Sequence, residues 1–148
     1  MSVQKPRYDF FVAGRWRNHE AVREVLDIIR DSGRTAYCFI DNLYEGEKLE
    51  FDTQDVEPTM SGLEALPQDD EFIRKIFDKD MAGEKDAANF LLVLPAGISG
   101  HVEAGVAYGL GRPCYAVGRP EKTETLYSIF DEIFPTNDDL RQWLKKTA

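Results

Sequence analysis

A single carboxylate, Glu103, lies within a stretch of small and apolar residues, GISGHVEAGVAYGLG, at residues 97–111. Read as a helix, this stretch places Glu103 on one face with Val106, Ala107 and Leu110, at spacings of three, four and seven residues. That face is expected to meet the sheet, where an unpaired carboxylate needs partners or a chemical task. The chemistry open to it is nucleophilic attack or proton transfer. The structural alternative is a first-turn acid held by the helix dipole and backbone N–H groups.

A second acid, Asp80, also breaks the pattern of its predicted helix. It follows Ile73, Ile76 and Phe77 on the apolar side, whereas Asp78 falls on the polar side. Fraying of the helix end would leave Asp80 solvated, which is the structural alternative for this residue. Glu103 and Asp80 are therefore the two candidate catalytic residues.

The residues before Glu103 are candidates for substrate binding. Gly97, Ser99 and Gly100 allow a sharp turn into the helix and offer N–H groups and a hydroxyl to an anion or a sugar, and His101 follows them. Small residues at such a turn also serve close packing alone, so both interpretations stay open.

The segment GRWRN, residues 14–18, follows the first predicted strand. Arg15 and Arg17 could hold a phosphate or could be solvated surface charges. Trp16 could cover a base or cap the core. The segment is a candidate binding loop with a structural alternative for each side chain.

Four apolar runs of strand length, separated by helical patterns, must position these residues. Their lack of alternation is typical of strands buried on both faces of a parallel sheet. The strands are predicted at residues 8–14, 35–40, 89–95 and 113–118, and the helices at residues 19–33, 69–84, 100–111 and 136–146. This order predicts a doubly wound α/β domain, Rossmann-like or flavodoxin-like, with a mostly parallel sheet of four to five strands.

The loops that follow the first three strands, at residues 13–18, 41–46 and 95–103, are expected to converge on one crevice. In open α/β sheets ligands bind beyond the carboxyl ends of the strands. The acidic stretch at residues 41–69 is long for a plain connection, so it is predicted to be a loop over that site.

Composition narrows the function classes. The chain has 148 residues, a length that favours one domain. Its formal net charge of −9 argues against DNA or RNA as a partner.

Cys38 and Cys114 are expected to be buried free thiols in a reducing cytosol. No apolar run approaches the ~20 residues of a membrane span, so the protein is expected to be soluble and cytoplasmic. His19 and His101 lack a third ligand at metal spacing, so neither a metal site nor a cofactor is expected.

Four segments between residues 8 and 118 carry a family pattern. They are FFVAGRW, DNLYEG, DKDMAGEKDAANFLLVL and GHVEAGVAYGLGRPCYAVG, of which EAGVAYGLGRP is the most specific part. In this order and spacing they resemble the nucleoside 2-deoxyribosyltransferases and the related deoxynucleoside 5′-monophosphate N-glycosidases. The resemblance implies a single deoxyribosyltransferase-like domain over residues 1–148.

The resemblance also implies roles, position by position. The family's nucleophilic glutamate matches Glu103, and the aspartate that manages the proton on the departing base resembles Asp80. The base-side loop offers Asp41, Asn42 and Tyr44, and Gly14 matches the glycine that lets the substrate approach the first strand.

Two departures from the transferase pattern favour hydrolysis. Gly97 stands where transferases commonly have an aspartate that grips the sugar hydroxyls, and Leu43 replaces their base-reading glutamine. Ser99 and Arg17 could fill the roles of the serine and the phosphate-binding arginine of the N-glycosidases. The resemblance therefore implies N-glycosidic cleavage of a nucleoside or nucleoside 5′-monophosphate through a glycosyl-enzyme intermediate, with transfer to water.

Two alternatives stay open, namely base exchange and a non-catalytic nucleotide-binding or sensing module in which Glu103 grips ribose hydroxyls.

In both enzyme branches the active site is completed across a subunit interface. The resemblance therefore implies a homodimer or higher homo-oligomer that acts on a small nucleoside or nucleotide.

Overall fold

Five parallel strands form the sheet of this computed structural model, which describes residues 5–41 and 55–147. The strands are β1 (Tyr8–Ala13), β2 (Ala36–Cys38), β3 (Ala87–Val93), β4 (Cys114–Val117) and β5 (Glu132–Phe134), in the order β2-β1-β3-β4-β5. In the two central strands, Phe11 of β1 pairs with Phe90 of β3 and, on its other side, with Tyr37 of β2. The predicted doubly wound parallel sheet is confirmed.

The described part of the chain contains five α-helices, and the alternation of β1 shows that both faces of the sheet are covered. The helices are α1 (His19–Asp31), α2 (Glu57–Glu64), α3 (Glu71–Lys85), α4 (Ile98–Gly109) and α5 (Asn137–Lys146). Phe10 and Val12 point into a core shared with α1 and α5. Phe11 and Ala13 point to the opposite face, into a core shared with α4. A strand buried on both faces needs apolar residues at every position, as the FFVA run provides.

Helix boundaries follow local capping chemistry. At α5, Thr136 and Asp139 form the expected capping box, in which each side chain accepts from the backbone N–H of the other residue. At α3, Asp70 is the N-cap and accepts from the Phe72 N–H at 2.9 Å. These caps fix where the chain leaves a loop and enters a helix that packs on the sheet.

The structure adds elements that the sequence pattern did not delimit. The short strand β5 pairs with β4, and α2 lies within the stretch predicted to be a loop. Residues 42–54 of that stretch lie outside the described residues. Cys38 and Cys114 are buried free thiols, as expected. In the described part of the chain, none of the helices combines the length and the apolar character needed to cross a lipid bilayer.

The strand order locates the crevice. The chain winds outward from β1 to β2 in one direction and from β3 to β5 in the other, so the order reverses between β1 and β3. In this topology ligands bind outside the carboxyl ends of the strands at that switch point. The segments that leave β1 at Gly14 and β3 at Leu94 meet there, and α4 begins directly after the second of them.

Candidate active site

Glu103 lies in the second turn of α4, half-buried, on the flank of the helix that faces α3. The residues that contact the sheet are Gly100, Ala104 and Ala107, whose small side chains let the helix axis approach closely. The prediction that Leu110 shares the buried face is wrong, since its side chain is 42% exposed beyond the end of the helix. Burial and the nearby acids Asp80 and Glu84 raise the pKa of Glu103 to about 9.

Asp80 faces Glu103 from α3. Its Oδ1 accepts a hydrogen bond of 2.8 Å from the hydroxyl of Tyr37 on β2. This bond ties the Asp80 side chain to the sheet. Phe77, predicted to share the apolar face with Asp80, is instead 49% exposed and lies under the guanidinium of Arg74. The face of α3 that packs inward carries Phe72, Gly83 and Glu84.

Glu84 is a third carboxyl of this cluster and was not among the predicted site residues. It is 2% exposed, and neither carboxyl oxygen has a hydrogen-bond partner among the described residues. Burial and the neighbouring Asp80 raise its pKa to about 8. Glu84 follows Asp80 by four residues, which places both carboxyls on one face of the helix. This spacing is visible in the sequence and could have identified Glu84.

The turn before α4 is held together by His101. Its Nδ1 lies 2.7 Å from the carbonyl oxygen of Gly97, which can only accept, so Nδ1 carries a proton. Its Nε2 lies 2.8 Å from the hydroxyl of Tyr127, and the two rings stack. Ser99 is exposed beside this turn. His101 therefore joins the start of α4 to the segment that follows β4.

Two of the predicted binding glycines have packing reasons for being glycine. A Cβ on Gly14 would lie 2.5 Å from Cγ2 of Val22 on α1, and a Cβ on Gly100 would lie 2.8 Å from Cδ1 of Leu92 on β3. A Cβ on Gly97 would meet nothing within 4 Å. Close packing accounts for Gly14 and Gly100, while Gly97 borders open space at the start of α4.

The two arginines after β1 have different surroundings. Arg17 is ion-paired to Glu57 and, at 2.8 Å, to Glu64, both on α2. Arg15 is half-buried and lines a cavity. Trp16 packs edge-on against Phe39 of the core, which is the capping role foreseen as its alternative.

Asp41, predicted to face the substrate base, is engaged by α1. Its carboxylate is ion-paired to Arg30 and, at 3.3 Å, to Arg23. Asn42 and Tyr44, the other predicted base-side residues, lie outside the described residues. The described part of the base-side loop is thus tied to α1 by two arginines.

A cavity of about 600 Å³ lies on the other flank of α4 from the carboxyl cluster. His101 and Gly105 line it from α4, Arg15 lines it from the end of β1, and Arg119 and Lys122 line it from the segment after β4. Neither Glu103 nor Asp80 is among the described residues that line it. Glu121 and Glu124 line the same cavity, so its cationic side chains are accompanied by acidic ones.

A solved structure shares this arrangement of elements. A 2-deoxyribosyltransferase from the psychrotolerant bacterium Bacillus psychrosaccharolyticus matches this chain with a TM-score of 0.63, at 18% sequence identity and with 89% of each chain covered. This chain shares its fold with a 2-deoxyribosyltransferase. The CMP N-glycosidase BcmB of Clostridium botulinum matches with a TM-score of 0.49, at 13% identity, covering 92% of this chain and 97% of that one. No protein-family model and no curated protein matches the sequence.

The likeness to the 2-deoxyribosyltransferase confirms the fold that the motifs implied. Within that fold, the structure brings Glu103 and Asp80 to facing helices. It adds Tyr37 and Glu84 to the same cluster. Among the described residues, no three side chains of metal-binding type are grouped so that they could hold an ion.

Proposed function

We propose that this protein cleaves the N-glycosidic bond of a nucleoside or nucleoside 5′-monophosphate, with Glu103 as the nucleophile and water as the acceptor. The observation that carries the proposal is the half-buried Glu103 facing Asp80 beside the β1/β3 switch point. A carboxylate is an adequate nucleophile for an anomeric carbon with oxocarbenium character, and a second carboxyl supplies the proton that the leaving base needs.

The proposed reaction has two steps. In the first, a carboxylate oxygen of Glu103 attacks C1′, the bond from C1′ to the base nitrogen breaks, and the base takes a proton from Asp80. In the second, water attacks C1′, the Asp80 carboxylate accepts a proton from that water, and the ester bond to Glu103 breaks. Both carboxyl groups return to their starting states, so the residues balance the reaction by themselves.

The proton of the pair must be in the right place for the first step. Burial raises the pKa of Glu103, which favours its neutral form at pH 7, while the Tyr37 hydroxyl donates to Asp80. The reactive form has the opposite distribution, with Glu103 ionised and Asp80 protonated. Reaction therefore requires that the pair move its proton from Glu103 to Asp80 as the substrate binds.

We further propose that Arg15 is the cation for a 5′-phosphate. Arg15 follows the end of β1 at the switch point and is half-buried, whereas the Arg17 guanidinium is already paired with two glutamates of α2. A phosphate at Arg17 would have to displace both carboxylates, whereas Arg15 offers its charge at the crevice edge. The choice of water as acceptor is supported by Gly97 and Leu43, which lack the polar groups of the transferase pattern.

The proposed active site is completed in a homo-oligomer. The exposed face of α4 carries Ile98 and Val102, which are 84% and 60% exposed, and Leu126 after β4 is 73% exposed. Apolar side chains of this size on one side of the candidate site favour a second copy of the chain as their cover.

The test is product analysis on a panel of nucleosides and their 5′-monophosphates, with and without an added free base. We expect release of the free base and the sugar or sugar phosphate by the wild-type protein. Glu103→Gln is expected to be inactive while keeping the wild-type circular dichroism and melting behaviour. Exchange of the base without hydrolysis would assign transfer instead, and ligand binding without turnover would contradict the enzyme proposal.

A further inference from the structure

The carboxyl of Glu84 has no structural explanation in the fold. Glu84 is the one polar or charged residue that is buried among the described residues, with 2% of its surface exposed. Its two carboxyl oxygens have no hydrogen-bond partner in the described part of the chain. Burying an unpaired carboxylate costs several kcal/mol, so such a group is neutral or has a task. An apolar residue of similar size would fill the same place at no electrostatic cost.

Its neighbours are acids and weak acids. Asp80 lies one helical turn away on α3, a rise of roughly 6 Å, and Glu103 approaches from α4. Tyr37 of β2 packs against the adjacent Gly83, where a Cβ would lie 2.6 Å from the ring. The Cys114 thiol of β4 also lies within the electrostatic reach of Glu84.

The basic residues near Glu84 do not neutralise it. Arg112, before β4, donates from Nη2 to the carbonyl oxygen of Lys85 at 2.9 Å. Its Nε is buried and, like the oxygens of Glu84, has no partner among the described residues, so the two groups are not bonded to each other. The Lys85 side chain is at an exposed position. Within the cluster, the ionisable neighbours of Glu84 are therefore all acids.

We propose that Glu84 is a positioning residue of this site, which competes with Glu103 for the negative charge of the cluster and so controls when the Glu103 carboxylate forms. A charge on either of the two disfavours a charge on the other, because both lie in the same poorly solvated space beside Asp80. While Glu84 holds its proton, Glu103 can ionise. When Glu84 ionises first, Glu103 is held neutral and cannot attack. The consequence for catalysis rests on the proposed function, whereas the competition for charge does not.

The direct test is a ¹³C NMR titration of the glutamate side-chain carboxyls, with the Glu103 signal assigned by its loss in Glu103→Gln. In Glu84→Gln, we expect the titration midpoint of Glu103 to fall by about one pH unit, because a like charge has been removed. Glu84→Asp keeps the competing carboxyl and is expected to leave the midpoint near the wild-type value. Glu71→Gln, which removes an exposed charge from the same helix, is the matched control and is expected to leave it unchanged. A Glu103 midpoint that is the same in Glu84→Gln and wild type would overturn the proposal.

The second readout is the pH dependence of kcat/KM. Burial and the neighbouring acids raise the pKa of Glu103 to about 9. The proposed reaction needs one proton on the pair of Glu103 and Asp80, so the wild-type rate is expected to fall as the pH rises past that value and the pair loses this proton. In Glu84→Gln this fall should begin about one unit lower, which corresponds to roughly tenfold less activity at a given pH above it. If Glu84→Gln does not fold, Glu84→Met removes the same charge at similar length and carries the same expectation. A lower melting temperature with an unmoved pH profile would mean that Glu84 only fills space.

The two readouts separate the two proposals. If the protein cleaves no substrate in the panel, the proposed function fails, while the NMR titration still decides the role of Glu84. If cleavage occurs and the Glu103 midpoint does not respond to Glu84→Gln, the proposed function stands and the inference about Glu84 fails.

Discussion

Three carboxyl groups placed together in a poorly solvated space must share protons, and this governs what Glu103 and Asp80 can do. Burial comes first among the causes that raise the pKa of Glu103 and of Glu84, and Asp80 comes next for both. The same burial that makes Glu103 a strong nucleophile when ionised also makes the ionised form scarce. The Tyr37 hydroxyl donates a hydrogen bond to Asp80 and so can stabilise negative charge on that carboxyl.

Asp80→Asn is expected to slow N-glycosidic cleavage most for substrates whose base leaves poorly. Protonation of the leaving base by a positioned acid increases the rate roughly 10²–10⁴-fold, and a base that leaves easily needs little protonation. The measurement is kcat for a series of nucleosides that differ in the basicity of the leaving nitrogen. Asp78→Asn, on the exposed side of the same helix and paired with Arg74 at 3.2 Å, is the matched control. Equal losses for good and poor leaving bases would mean that Asp80 only positions the site.

The site residues that could be identified from the sequence are those that depart from a local pattern. Glu103 and Asp80 were visible because helical phase marks an acid on an apolar face. Glu84 was visible by the same rule, one turn beyond Asp80, and was missed. The partners of Arg17 and Asp41 were not predictable in this way, because Arg17 pairs with Glu57, 40 residues away, and Asp41 with Arg23, 18 residues away. Such pairs depend on how elements pack, which local spacing does not contain.

Two elements place the charged groups of the site. The helix α4 stands between the carboxyl cluster and the cavity, and its small residues Gly100 and Ala104 bring it close to the sheet. The helix α2 is tied by Glu57 and Glu64 to Arg17, in the turn that follows β1. These ion pairs are exposed, so their contribution to stability is small. They fix which arginine faces the crevice.

Arg15→Ala is expected to remove a preference for 5′-monophosphates over nucleosides, and Arg17→Ala is expected to keep it. A charge-assisted contact to a phosphate contributes roughly 1.5–3 kcal/mol, or about 10- to 150-fold in affinity. The measurement is the ratio of dissociation constants for a monophosphate and its nucleoside, determined by calorimetry in the inactive Glu103→Gln background. Loss of the preference in Arg17→Ala alone would place the phosphate at Arg17, with α2 displaced.

Element order and type were largely predictable because long apolar runs and capping residues are local signals. Four strands and four helices were predicted within a few residues of their observed ends, and Thr136 and Asp139 marked the start of α5. The helix α2 was missed because its mixed sequence, EPTMSGLE, buries no residue in the structure. The three-residue strand β5 was missed because EIF is too short to show a period.

The net charge of the molecule and its exposed apolar surface have opposite effects on self-association. The net charge of −9 opposes close approach of two copies, whereas Ile98, Val102 and Leu126 present large apolar side chains to solvent. The apolar residues lie on and beside α4, next to the candidate site. The adjoining cavity is lined by the cations Arg15, Arg119 and Lys122 and by the acids Glu121 and Glu124. A second copy of the chain would therefore cover these apolar side chains beside a cavity of mixed charge.

Ile98→Glu is expected to convert a homo-oligomer into single chains and to reduce the turnover of the site. Ile98 is 84% exposed in the first turn of α4, where an acid is favourable to the helix dipole, so the variant should fold. Light scattering after size exclusion should give a multiple of the 16.9 kDa chain mass for the wild type and the single mass for Ile98→Glu. Gln142→Glu, which adds the same charge at an exposed position of α5 on the other face of the sheet, should keep the wild-type mass and activity. A wild-type protein that is fully active at the single-chain mass would contradict a site shared between subunits, and the apolar residues of α4 would then need another partner.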